Sequence, residues 1–180
     1  SWSEDDPEQW WQAVADGLDL LARDHRKAMS GVRAIGLSGQ MHAAVLLDEA
    51  DIPVRPAILW NDGRSVREAA ELAQLGPELQ NKMGVLPMPS FTGPKFLWLM
   101  RNEPDAIKRT RALLLAKDFV RLKLSGEKVT DVSDAAGAWL IDEEKRQWSD
   151  AALAACSIDR ALLPALMESP EPSATLKRDL

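Results

Sequence analysis

The chain has 180 residues, a hydrophobic share of 46% and a charged share of 28%. These values are typical of one globular domain and exclude a disordered or fibrous polypeptide. The net charge of -6, from 22 basic and 28 acidic residues, together with the scatter of the basic residues, argues against a nucleic-acid partner. No run of about 18 apolar residues occurs, so no membrane partner is expected.

Cys156 is the single cysteine. It cannot form an internal disulfide or a thiolate metal cluster, which favours a reducing, cytoplasmic setting. We expect it to be a small buried hydrophobic residue. The acidic start of the chain lacks the features of a signal peptide and lacks an initiator methionine, as expected of a processed or partial chain.

Predicted helices and strands alternate along the chain. Proline in the first turn and a recurring apolar stripe predict a helix from about 8 to 28. Apolar runs predict strands at 32–37, 43–48, 57–60, 113–115 and 138–141. Helices are predicted from 65 to the Gly76-Pro77 stop, and at 95–101, 118–124, 150–156 and 160–163. Prolines make 84–94 a loop, 130–137 reads as a polar segment, and the alternation predicts an α/β or α+β layered domain.

The turn Gln40-Met41-His42 lies between two predicted strands, where a short loop can hold side chains in fixed directions. His42 can exchange hydrogen bonds with a sugar hydroxyl at neutral pH, and Met41 can line the apolar face of the same ligand. Near a strand end, however, a histidine is more often a hydrogen-bonded structural residue.

The stretch Trp60-Asn61-Asp62-Gly63-Arg64 follows the third predicted strand. Trp60 suits stacking on the carbon face of a sugar. The alternative is structural: Asp62 caps the next helix, and Arg64 pairs with a carboxylate.

A third stretch, 90–102, places glycine and proline before Lys95. This pattern is typical of a loop that leads into a helix N-terminus, which could suit an anion. It lacks the spacing of a Walker phosphate loop. His25 and His42 are the only histidines and no third ligand stands at a metal spacing, so no metal site is predicted. Asp118 and Asp134 are predicted to cap helices.

Four motifs in order resemble the FGGY carbohydrate kinases, xylulokinases in particular. They lie at 2–11, 35–42, 56–64 and 90–102, and the segments 117–119 and 133–137 are similar to later family segments. The resemblance implies a ribonuclease H-like fold of the actin, hexokinase and Hsp70 superfamily. It identifies 1–180 as the N-terminal, sugar-binding domain, without its first β-hairpin segment and without the C-terminal nucleotide-binding domain.

The same resemblance implies phosphorylation of D-xylulose to D-xylulose 5-phosphate, with ATP and Mg²⁺ as cofactors. It implies sugar contacts from Met41, His42, Trp60 and Ser90. The family's general-base aspartate is expected beyond Leu180, so no catalytic residue is predicted in this chain, and the chain alone is expected to be inactive. The alternatives are a kinase for ribulose or another polyol, and a non-catalytic sugar-binding or assembly module; a homodimer is one expected assembly.

Overall fold

The computed structural model describes residues 1–178 as an α/β arrangement. Its helices are α1 (Pro7–Asp24), α2 (Arg26–Met29), α3 (Val66–Ala73), α4 (Pro77–Met83), α5 (Thr92–Asn102), α6 (Pro104–Arg109), α7 (Ala116–Ser125), α8 (Val132–Ala136) and α9 (Asp150–Ala155), with a 3₁₀ turn at Arg160–Leu162. Its strands are β1 (Glu4–Asp5), β2 (Val45–Leu47), β3 (Ala57–Ile58), β4 (Ala112–Leu114), β5 (Val129–Asp131), β6 (Ile141–Asp142), β7 (Gln147–Trp148) and β8 (Ala165–Met167).

The strands pair two by two. β1 runs antiparallel to β3, β2 to β4 and β6 to β7, whereas β5 and β8 are parallel. A bridge between Ala44 and Ile58 joins the first two pairs into the run β1-β3-β2-β4. Successive strand residues face opposite sides, so Leu46 packs in one hydrophobic cluster while Val45 and Leu47 pack in another. β2 therefore lies between two hydrophobic clusters and is buried on both faces.

Most of the predicted elements are confirmed. The strand predicted at 43–48 is β2, and the helix predicted at 118–124 is α7, which ends at Gly126 in the left-handed conformation with φ 84°. The first helix is confirmed to Asp24, after which His25 interrupts it. Cys156 is fully buried, as expected.

The strand predicted at 32–37 is wrong. This stretch has no regular structure, most of its residues are exposed, and it lines an open cleft of about 1060 Å³ together with residues of 167–176. Within residues 1–178 no strand pairs with it. A strand needs a neighbouring strand to satisfy its backbone hydrogen bonds. The β-forming composition of 32–37 is therefore not sufficient to make this segment a strand.

Two prolines start helices that the sequence does not predict. The helix predicted from 65 ends before the Gly76-Pro77 stop, as expected, since α3 ends at Ala73. Pro77 then starts α4, and Pro104 starts α6, because proline suits the first helical position. The loop predicted at 84–94 ends earlier, because α5 begins at Thr92 and holds Pro94 in its first turn. The polar segment 130–137 contains the end of β5 and all of α8.

Candidate functional site

The Met41-His42 turn directly precedes the bridge at Ala44 that leads into β2. His42 adopts a left-handed backbone conformation with φ 66°, which costs a residue with a side chain roughly 1–2 kcal/mol. Met41 is 46% exposed. The prediction that strands flank this turn on both sides is wrong, because only β2 is present.

Two side chains of α5 hold the carbonyl oxygen of His42. Lys95 Nζ donates to it at 2.7 Å, and Thr92 Oγ1 donates to it at 3.3 Å. The exposed fraction of Lys95 is 0%. The prediction that the loop before Lys95 suits an anion is therefore not supported for Lys95 itself, whose amine is enclosed by protein.

The imidazole of His42 is partly buried between two other loops. Its ring meets Phe91 edge to face, with ring centroids 4.6 Å apart. A Cβ placed on Gly137 would lie 2.5 Å from Nε2 and 2.7 Å from Cδ2, so the ring edge packs directly on that glycine. Nδ1 is buried without a hydrogen-bond partner among the described residues.

The imidazole is neutral at physiological pH. Burial, reinforced by the positive charge of Lys95, lowers the pKa of His42 from 6.5 to about 4. A neutral imidazole carries one donor and one acceptor nitrogen. It can therefore exchange hydrogen bonds with hydroxyl groups, whereas a proton-transfer role near neutral pH is disfavoured.

The structure relates the other two predicted contacts to this turn less directly. Ser90 precedes Phe91, whose ring touches the imidazole. Trp60 is 49% exposed and follows β3, the strand whose Ile58 bridges to Ala44. The structure thus brings the segment that contains Ser90 against His42, and Trp60 remains a predicted contact.

Asp62 and Arg64 have structural partners. The Arg64 side chain is 1% exposed, its Nη2 donates to Asp62 at 2.7 Å and its Nη1 to Glu4 at 2.6 Å. Its guanidinium lies 4.1 Å from the centre of the Trp2 ring. The structural alternative is confirmed for Arg64, which pairs with carboxylates. It is wrong for Asp62: the N-cap residue of α3 is Ser65, and the carboxylate of Asp62 pairs with Arg64 instead of capping the helix.

Asp118 and Asp134 are not helix caps, contrary to the prediction. Both pair with Lys117, whose Nζ lies 2.6 Å from Asp118 and 3.1 Å from Asp134, and a third carboxylate, Asp131, lies at 2.7 Å. Burial raises the pKa of Asp134. Burial alone would lower the pKa of Lys117, but the surrounding carboxylates outweigh this effect and raise it. This network anchors the chain that leads to Gly137.

Sequence reasoning missed the contacts that Phe91, Lys95 and Gly137 make with His42. The signal was present, since all three lie in the segments 90–102 and 133–137 that carry the family resemblance. Across residues 1–178, no cluster of three or more histidine, cysteine or acidic side chains is placed to hold a metal ion. None of the described helices combines the length and apolarity needed to cross a membrane.

A family model for the N-terminal domain of the FGGY family of carbohydrate kinases matches residues 1–180. Among curated proteins, a xylulose kinase of Escherichia coli K12 is 46% identical over 170 residues, covering 94% of this chain and 35% of the relative. A xylulose kinase of Lactococcus lactis is 40% identical, covering 99% of this chain and 36% of the relative. The chain thus spans little more than a third of these relatives.

Solved structures show the same fold. The crystal structure of a xyloylose kinase from Brucella ovis matches with a TM-score of 0.96 and 45% identity, over 99% of this chain and 38% of that one. A xylulose kinase from Rhodospirillum rubrum matches with a TM-score of 0.86 and 27% identity, over 99% of this chain and 38% of that one. The predicted α/β fold of the actin and hexokinase type is confirmed.

Proposed function

The chain belongs to the FGGY family of carbohydrate kinases, and we propose that the protein containing it transfers a phosphoryl group from ATP to D-xylulose. In this proposal the chain supplies the sugar-binding side, with contacts from Met41, His42, Trp60 and Ser90. The xylulose kinases that it matches at 40–46% identity support this choice of sugar.

One observation carries the assignment of the sugar site: the neutral imidazole of His42, next to the half-exposed Met41, has a buried Nδ1 without a partner among the described residues. A buried polar atom without a partner is disfavoured. A sugar hydroxyl both donates and accepts, so it can satisfy this nitrogen in either tautomer. The exposed side chains of Met41 and Trp60 offer apolar surface for the carbon face of the same sugar.

ATP and Mg²⁺ are part of the proposal for the whole protein only. Within the described residues no group of ligands fits a metal ion, so no step through Mg²⁺ is derived for this chain. What its residues contribute is binding and orientation of the acceptor, which is a major part of phosphoryl-transfer catalysis.

The test uses the full-length protein that contains this chain. Release of ADP is measured with D-xylulose, D-ribulose and glycerol, and the phosphorylated product is identified by mass spectrometry. The highest kcat/KM is expected with D-xylulose. The variant His42→Ala is expected to lower it by about tenfold to a hundredfold, as for loss of a polar substrate contact that leaves buried groups unpaired.

The variant His25→Ala is the matched control, because His25 is an exposed histidine at the end of α1. It should leave kcat/KM unchanged. A wild-type protein that phosphorylates no ketose or polyol would exclude the proposed function. A His42→Ala enzyme with wild-type kcat/KM would exclude the proposed site.

A further inference from the structure

Lys95 lies where an apolar side chain would be expected. Its exposed fraction is 0%, and Phe96 and Leu99 of the same helix are equally enclosed in the hydrophobic core. Burial lowers the pKa of Lys95 from 10.5 to about 7, with Asp62 opposing that effect and Arg64 adding to it. A lysine in such surroundings destabilises the fold relative to an apolar residue of the same shape.

The contacts of Lys95 argue against two common roles for a buried lysine. Among residues 1–178 it forms no ion pair, since Asp62 is already paired with Arg64. Its side chain is also fully enclosed and its amine already donates to a protein oxygen, unlike Nδ1 of His42, which has no partner among the described residues. Its hydrogen bond goes to a backbone oxygen 53 residues away, that of His42, at 2.7 Å.

That oxygen belongs to a residue with a left-handed backbone, one of five such non-glycine residues in the described chain. His42 has φ 66°, and such a conformation persists where the surrounding structure over-determines it. The donors Lys95 Nζ and Thr92 Oγ1 converge on its carbonyl oxygen from the first turn of α5. Fixing this carbonyl fixes the peptide plane, and with it the directions of the side chains on either side of the turn.

We propose that Lys95 is a positioning residue for the sugar site: its buried amine holds the carbonyl of His42, and so directs the Met41-His42 turn toward the sugar. This inference rests on the proposed function, because it takes the turn to be the sugar contact. Lys95 touches neither sugar nor phosphate. It acts through the backbone of His42, and Thr92 is the second, weaker donor to the same oxygen.

The experiment compares Lys95→Met, Thr92→Val and the double variant in the full-length protein. Methionine keeps the length of the side chain and removes the donor. We expect the KM for the ketose to rise about tenfold, as for loss of one oriented contact, with kcat changed less and a thermal midpoint no lower than that of the wild type. Since both donors serve one oxygen, the double variant should exceed the product of the single effects.

A second readout needs no sugar. The ring resonances of His42 in NMR spectra of the free protein should move in Lys95→Met, because the peptide plane that orients the ring is no longer held. The control is Lys123→Met. Lys123 lies on α7, is partly exposed, and its Nζ lies 2.8 Å from the carboxylate of Glu8 on α1. This variant should change neither the KM nor these resonances.

The outcomes are separable. A wild-type protein inactive on every ketose rejects the proposed function, whereas the NMR comparison still tests the positioning role. A folded Lys95→Met with wild-type KM and unmoved His42 resonances overturns the inference. It is also overturned if Leu153→Ala, which opens a cavity in the hydrophobic core beside α9, raises the KM by the same factor, because the effect would then be one of general destabilisation. If Lys95→Met does not fold, Thr92→Val must show the KM increase and the resonance shift, and their absence rejects the proposal.

Discussion

Gly137 offers a direct test of how tightly the imidazole of His42 is packed. Its backbone angles, φ -73° and ψ -4°, are right-handed, so any residue could adopt them. The space is what requires glycine: a Cβ would lie 2.5 Å from Nε2 of His42 and 2.7 Å from Cδ2. The ring must therefore move aside if alanine is introduced.

We expect Gly137→Ala to destabilise the protein by about 1–3 kcal/mol, the usual effect of overpacking a filled site. If the proposed function holds, the same displacement should raise the KM of the full-length protein for the proposed ketose substrate, because the imidazole leaves its position. Urea denaturation followed by tryptophan fluorescence measures the first effect, and steady-state kinetics measures the second.

Gly17→Ala is the matched control. Gly17 lies in the middle of α1, and a Cβ there meets nothing within 4 Å. The identical substitution should stabilise that helix by roughly 0.5–1 kcal/mol, with the KM unchanged. If Gly137→Ala were as stable as the wild type and kept its KM, the ring would not be confined as described.

Three further results are expected. Arg64→Met should lower the free energy of unfolding by about 3–5 kcal/mol, because it leaves the buried carboxylate of Asp62 unpaired. The control Arg67→Met removes an exposed ion pair and should change this free energy by less than about 1 kcal/mol. Urea denaturation measures both values. Burial raises the pKa of Cys156 to about 12, so a thiol reagent at pH 8 should label it only after unfolding, and rapid labelling of the native protein would contradict its burial. Because the folded state lowers the pKa of His42 from 6.5 to about 4, the unfolded chain binds the extra proton, and stability should fall as pH drops through that window; His42→Ala should show a shallower fall.

Sequence patterns were sufficient where a local rule decides the structure. The apolar stripe of α1 and the Ser125-Gly126 end of α7 depend on neighbours a few residues apart, and both predictions are confirmed. Val32 to Leu37 has the composition of a strand but no partner among the described residues. Strand formation is decided by pairing between distant segments, which composition does not reveal.

In the candidate site, too, local sequence predicts some features, whereas others depend on contacts between distant segments. The Met41-His42 turn and Ser90 were selected from motifs in the sequence, and the structure places the turn beside Phe91, the residue after Ser90. The sequence does not reveal the role of Lys95, because a lysine near a helix start resembles an anion ligand until its burial is known. Its hydrogen bond to position 42 spans 53 residues and follows no local spacing.

Three separate constraints act on His42, and each removes a different freedom. Lys95 and Thr92 fix its carbonyl oxygen, Phe91 limits the tilt of its ring, and Gly137 provides the space for the ring edge. A partly buried histidine could satisfy its own hydrogen bonds in a relaxed conformation. Here the backbone is left-handed and Nδ1 has no partner among the described residues, so the fold maintains strain and an unpaired nitrogen together. Strain of this kind persists where neighbouring contacts enforce it, and it concentrates at ligand sites. The combination therefore favours a histidine positioned for a ligand over one placed for stability.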